Sequence, residues 1–226
     1  MPPTITIHPP TLRPSRLSEH QNTIRAVLGH DLPADFARFY AETDGLEVRV
    51  EQDGSRSGAS AEIVSLDFAF DDFKPHRQSS SVDDYDPSFD EPHCEAVWSP
   101  DADVDDDEML ARMNTLRRSK LVLSVDGCPE WIVVDFAPPD GGIDGRGYRL
   151  IWLYEGSESY PLELDFPTFV DLTKKLGNAF YRAYVPRAIF GEEQVRELLA
   201  PYAPLQPEEV ARLLAIAANR PHVERT

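Results

Sequence analysis

The sequence predicts an α+β fold: a mostly antiparallel sheet, a meander over residues 121–155, with helices packed before and after it. Three observations predict this. Leu121–Val125, Trp131–Phe136 and Tyr148–Tyr154 are short apolar runs rich in β-branched and aromatic residues, each bounded by turn residues. The links between them, Asp126–Glu130 and Pro138–Gly147, carry Asp-Gly, Pro-Pro and Gly-Arg-Gly. Both are shorter than the roughly dozen residues that a parallel crossover needs, so consecutive strands pair antiparallel. Amphipathic stretches at helical spacing flank the runs on both sides.

Taken in order, Thr4–His8 reads as a short edge strand ended by prolines. Ser18 and Gln21 form an S-x-x-Q capping box. Ile24, Val27 and Leu28 then share one helical face, and Gly29 stops the helix. Pro33 opens a second helix as a first-turn residue. Phe36, Phe39, Tyr40 and Thr43 form its stripe, and Gly45 takes the C′ position. Leu46, Val48 and Val50 alternate with charged residues and read as the first strand of the sheet. Glu51–Ala61 reads as a polar loop. Ile63–Phe70 fits either a strand or a helical turn. Asp71–Glu108 is acidic and irregular, and Met109–Ser119 reads as a helix on Leu110, Met113 and Leu116. After the meander, Asp165 caps a helix that runs to Leu176 with Pro167 in its first turn. Phe180, Tyr181 and Tyr184 mark a buried turn. Gly191–Ala200 and Pro207–Asn219 read as a helical hairpin packed on the rest. The expected organisation is a domain over 1–185, with its core at 15–176 and an acidic insertion at about 71–108, followed by a helical extension over 186–226.

The chain has 226 residues, 22 basic and 40 acidic, for a formal charge of −18. That balance argues against nucleic acid or anionic lipid as a direct ligand, since both need a positive surface. It suits a basic protein partner drawn in by electrostatic steering. The first twenty residues hold no apolar core of signal-peptide length, and no stretch approaches the roughly 20 apolar residues of a membrane span. The expected location is the cytoplasm.

No chemistry-bearing constellation survives inspection. From Asp101, a calcium loop would need glycine and glutamate where Asp106 and Arg112 stand. In Gly54–Gly58, Arg56 occupies the place of a nucleophilic serine. Gly141, Gly142, Gly145 and Gly147 do not follow a dinucleotide-binding spacing, and a flexible hairpin loop is expected there. Cys94 and Cys128 form no metal or redox motif. The expectation is a protein that is not an enzyme and that needs no metal and no cofactor. Trp131 and Val133 face opposite to Ile132 and Val134, so either helices cover both sides of the sheet or one side binds a partner.

The ordered set of residues resembles the SMI1/KNR4 superfamily, also called SUKH. The matching positions are Leu28-Gly29, Leu32-Pro33, Phe36, Phe39-Tyr40 and Thr43-Asp44-Gly45. They continue with Asp126-Gly127, Asp135 after an apolar strand, the aromatic strand Gly145–Tyr154, and a Phe-led helix with Phe166 and Phe169. The resemblance covers Ser15–Leu176. It departs at Gln21 and Asn22, where an acidic residue is common in the family, and in the segments 71–108 and 186–226. The resemblance implies a binding protein. Bacterial members are similar to immunity proteins that neutralise polymorphic toxins, as in toxin–antitoxin pairs, many of the toxins nucleases. Fungal members are regulators of cell-wall assembly and signalling, which supplies the alternative of an intracellular scaffold. On the immunity reading, the partner-binding surface is the acidic run Asp101, Asp103, Asp105, Asp106, Asp107 and Glu108, with Trp98 as an apolar anchor for a basic toxin.

Overall fold

The computed structural model describes residues 3–56, 60–67, 69, 119–125, 131–136, 138, 141–154, 158–185 and 189–220. In chain order the elements are β1 (Ile5–Ile7), β2 (Thr11–Leu12), α1 (Leu17–Leu28), α2 (Ala34–Glu42), β3 (Leu46–Val48), β4 (Val50–Gln52), β5 (Ser55–Arg56), β6 (Ala61–Ile63), β7 (Ser119–Val125), β8 (Trp131–Asp135), β9 (Arg149–Tyr154), β10 (Glu158–Leu162), α3 (Phe166–Leu176), α4 (Glu192–Leu199) and α5 (Pro207–Asn219). The class is α+β. Seven strands form one antiparallel sheet in the order β10-β9-β8-β7-β6-β3-β2, and β1-β4-β5 form a second, small one. The consecutive pairing of β7, β8 and β9 follows the short links. Strand β10 was not anticipated. It contains Pro161, which an edge strand tolerates because its missing N–H faces no neighbour.

Local chemistry explains several boundaries and corrects others. Helix α1 begins at Leu17 after Arg16, with no side-chain cap, so the expected capping box at Ser18 is not formed. Arg16 instead pairs with Glu19 and Asp67, and this tertiary contact fixes the entry. Gly29 closes α1 in the left-handed region, at φ 81°. Pro33 is the residue before α2 and not its first. Gly45 lies two residues beyond the extended Thr43, so it is not the C′ residue; its φ of 88° serves a different purpose, described below. Leu46–Val50 is not one strand: β3 joins the large sheet and β4 the small one. All three apolar residues are still fully buried, because alternation specifies a face and not a partner.

The expected loop Glu51–Ala61 contains a hairpin and the start of β6. Asp53 and Gly54 take φ of 52° and 80°, and Gln52 pairs with Ser55 across the turn. Buried Ser60 bonds both the N–H and the C=O of Val50. Past β6, Leu66 and Asp67 form a helical turn, the second of the two expected alternatives. The expected helix Met109–Ser119 lies outside the described residues up to Arg118; Ser119 already belongs to β7.

The core is one cluster on the first face of the sheet. Ile132, Val134, Leu150, Trp152 and Leu162 meet apolar residues from all five helices. Asp165 caps α3 as read from the sequence, accepting from the Thr168 N–H at 2.9 Å. Tyr181 and Phe180 are buried in the turn after α3. Val195, Leu199, Val210, Leu213 and Ala217 of α4 and α5 belong to the same cluster. No helix among the described residues is long and apolar enough to cross a membrane.

Candidate functional site

The residues that carry the resemblance to SMI1/KNR4 are structural parts of the fold. Phe36 and Tyr40 are fully buried on α2. Phe36 stacks on Phe166 and meets Phe136 and Tyr148 edge-on. The Tyr40 hydroxyl donates to Val64 O at 2.9 Å, and burial pushes its pKa well above the ordinary phenol value. Leu32 is buried ahead of Pro33, and Leu28 packs at the edge of the core. Gly45 is forced by contact: a Cβ there would stand 2.4 Å from Ile63 O. Beside it, buried Asp44 accepts from the Leu66 N–H at 2.8 Å, and Thr43 bridges Arg13 O and Gly45 O. Asp135 is buried at the end of β8, in register with Arg149. Phe169 is buried against Phe180. Thr43, Asp44 and Gly45 are thus a built turn that ties the exit of α2 to the end of β6.

A second constellation was not foreseen. The link between β8 and β9 ends in Ile143–Tyr148, and Arg146 reaches from it to two carboxylates. Its Nη1 is 2.6 Å from Asp35 Oδ2 in the first turn of α2. Its Nη2 is 3.1 Å from Asp165 Oδ2 at the head of α3. The Tyr148 hydroxyl donates to Asp35 Oδ2 at 3.0 Å and accepts from the Phe166 N–H at 2.9 Å. Burial, then the Asp35 bond and charge, raise the Tyr148 pKa, so the phenol keeps its proton through the physiological range. For Asp165, burial opposes ionisation, but the bonds from Thr168 and the nearby guanidinium outweigh it and lower the pKa.

The glycine-rich link was expected to be a flexible loop, yet it is hydrogen-bonded to itself. Gly141 N–H donates to Pro138 O, Ile143 to Tyr148 O, Arg146 to Ile143 O and Gly147 to Gly141 O. Gly142 has no alternative, since a Cβ would stand 2.0 Å from Tyr148 O. Chemically this constellation neutralises and positions; both hydrogen-bonding roles of the Tyr148 hydroxyl are taken. Asp35 and Arg146 are 111 positions apart in sequence, so no local pattern could have joined them. The Gly-Arg-Gly triplet and the first-turn Asp35 were the only signals available.

The expected partner surface, Trp98, Asp101, Asp103, Asp105, Asp106, Asp107 and Glu108, lies outside the described residues. Among the described residues no group of three His, Cys, Asp or Glu side chains is placed to hold a metal ion. No family model, no curated protein and no solved structure matches the chain.

Proposed function

We propose that this chain is a non-catalytic protein-binding module of the SMI1/KNR4 type, an immunity protein that neutralises a cognate toxin by direct binding. The observation that carries the reading is the distribution of charge. Residues 71–118 hold fourteen carboxylates against five basic residues, and no Lys or Arg occurs from Asp83 to Glu108. An acidic segment of this composition suits a basic protein. Where the toxin is a nuclease, it occupies the groove that phosphates would use. The family motif supports the reading in a second way. Its residues serve as caps, turns and core, which leaves partner choice to surface segments that sit outside the motif.

The test is growth rescue. A toxin candidate encoded beside this chain is expressed in the same cell with and without it. Rescue, with a stable complex on gel filtration, is the expected result. Neither rescue nor a complex with any neighbour's product would move the reading to an intracellular scaffold.

A further inference from the structure

Strand β1 is an outer strand of the small sheet, whose order is β1-β4-β5. Its bonds toward β4 fall on even positions. The His8 N–H donates to Arg49 O at 3.0 Å, and Thr4 O accepts from the Asp53 N–H at 2.9 Å. Antiparallel ladders alternate, so Thr6 also faces β4, while Ile5 and Ile7 turn both N–H and C=O away from it. Their side chains stay with the core: Ile5 belongs to it and Ile7 packs against it. Thr4 and Thr6 stand exposed on the other face of the strand. Among the described residues no strand lies beyond β1. Edge strands are usually blunted by charge, proline or brevity. Strand β10 carries Pro161 and β2 is two residues long. Ile5–Ile7 holds no proline and no charge, although the chain carries −18.

The sequence around β1 is symmetric about Thr6. Ile5 mirrors Ile7, and Pro3 mirrors Pro9. A second copy laid antiparallel, with Thr6 opposite Thr6, sets Ile5 of each copy against Ile7 of the other. Every outward N–H of β1 then meets a C=O. Pro3 and Pro9 stand where the next such pair would form, and neither has an N–H to give, so the ladder ends there. A contact of this kind is isologous, made by the same surface on both copies. A strand of a different protein would require no such symmetry. The threonines at the axis are neutral, so the seam brings no like charges face to face.

We infer that β1 is the seam of a homodimer, in which two copies of the chain pair through Ile5–Ile7 about a two-fold axis at Thr6 and join their small sheets into one. The seam is short, so the dimer exchanges readily with monomer. Each copy carries a charge of −18, so added salt strengthens the dimer by screening the repulsion between copies. Salt has the opposite effect on a contact between this acidic chain and a basic partner. Dimerisation does not depend on the proposed function, and its test needs no toxin.

The first test is sedimentation of the full chain from about 10 μM to about 1 mM, the range in which a weak dimer forms. The mean mass is expected to rise with concentration and to rise further in salt. Thr6→Asp sets two carboxylates against each other at the axis and is expected to keep the chain monomeric at low salt. A monomer at every concentration would overturn the inference, as would an undiminished dimer in folded Thr6→Asp. The second test fixes the register, in a chain with Cys94→Ser and Cys128→Ser. Thr6→Cys faces itself in a close, non-hydrogen-bonded pair that suits a disulfide. It is expected to cross-link the two copies on mild oxidation at least about tenfold faster than Thr4→Cys, which faces His8 of the other copy. Equal rates would overturn the register. Amide exchange closes the argument: the Ile5 and Ile7 N–H groups are expected to exchange fast in dilute solution and slowly in concentrated solution. Slow exchange at high dilution would show that the edge is held within one chain and would also overturn the dimer.

Discussion

Phe36 of α2 and Phe166 of α3 stack with ring centroids 3.8 Å apart and planes 11° from parallel, both fully buried. The contact joins a helix from the first fifth of the chain to one that follows the meander. Tyr148 meets Phe36 edge-on and bonds the Phe166 N–H, so the two rings are fixed by a polar group as well as by packing. Truncating either ring to alanine is expected to cost about 3–5 kcal/mol. The double variant is expected to cost less than the sum by about 0.5–1.5 kcal/mol, the usual coupling of an aromatic pair. Urea denaturation of the four proteins measures the cycle, and strict additivity would show that the rings do not interact.

Gly45 and Gly29 are both left-handed but for different reasons. At Gly29 a Cβ would meet open space, so Gly29→Ala is expected to cost about 1–2 kcal/mol, the backbone penalty alone. At Gly45 the same substitution also drives a methyl into Ile63 O. Gly45→Ala is therefore expected to be the worse of the two by at least about 1 kcal/mol, from overpacking. Thermal midpoints compare them, and equal losses would mean that the β6 backbone yields.

How far the sequence reveals this fold depends on how local each cause is. Asp165, Gly29 and Pro207 act within one helical turn, so α3, α5 and the end of α1 could be read directly. The runs of β7, β8 and β9 were readable because the links between them are short. The break at Arg49 was not, since it depends on which sheet each half joins. Nor was the start of α1, where Arg16 answers to Asp67, 51 residues away. The glycine turn at Gly45 was read from the sequence but misjudged in role, because the Ile63 carbonyl it avoids comes from β6. The Asp35–Arg146–Asp165 constellation needs three separate segments and was invisible for the same reason.

Asp165 links stability to pH. Its pKa is lowered in the folded chain from the ordinary value of 3.8, so the unfolded chain binds the proton more tightly. Its contribution is therefore complete above that value and is lost as the pH falls through the folded pKa. Asp165→Asn is expected to flatten the acid limb of the stability curve. Asn remains a fair N-cap, whereas Asp165→Ala is expected to lose about 1 kcal/mol at neutral pH. Urea midpoints between pH 2 and pH 7 test both, and an unchanged acid limb in Asp165→Asn would contradict the assignment.

Leu213 of α5 and Leu172 of α3 are both fully buried in one cluster. Either leucine changed to alanine is expected to lower a single, common unfolding transition by about 2–5 kcal/mol. Two separate transitions, only one of them shifted by Leu213→Ala, would show that the C-terminal helices fold independently.

The acidic run makes a kinetic prediction. Changing Asp101, Asp103, Asp105, Asp106, Asp107 and Glu108 to Asn and Gln is expected to slow association with the toxin by about tenfold or more at low salt and to flatten its salt dependence. Stopped-flow binding at several ionic strengths measures both, and unchanged kinetics would remove the run from the interface.

The central claim is that this chain silences a toxin by occupying it. The most direct measurement titrates the purified chain into the purified toxin while the toxin's activity is followed. The account predicts a linear fall to baseline at one chain per toxin, with both proteins recovered intact from the complex. Full toxin activity in the presence of excess chain would contradict it.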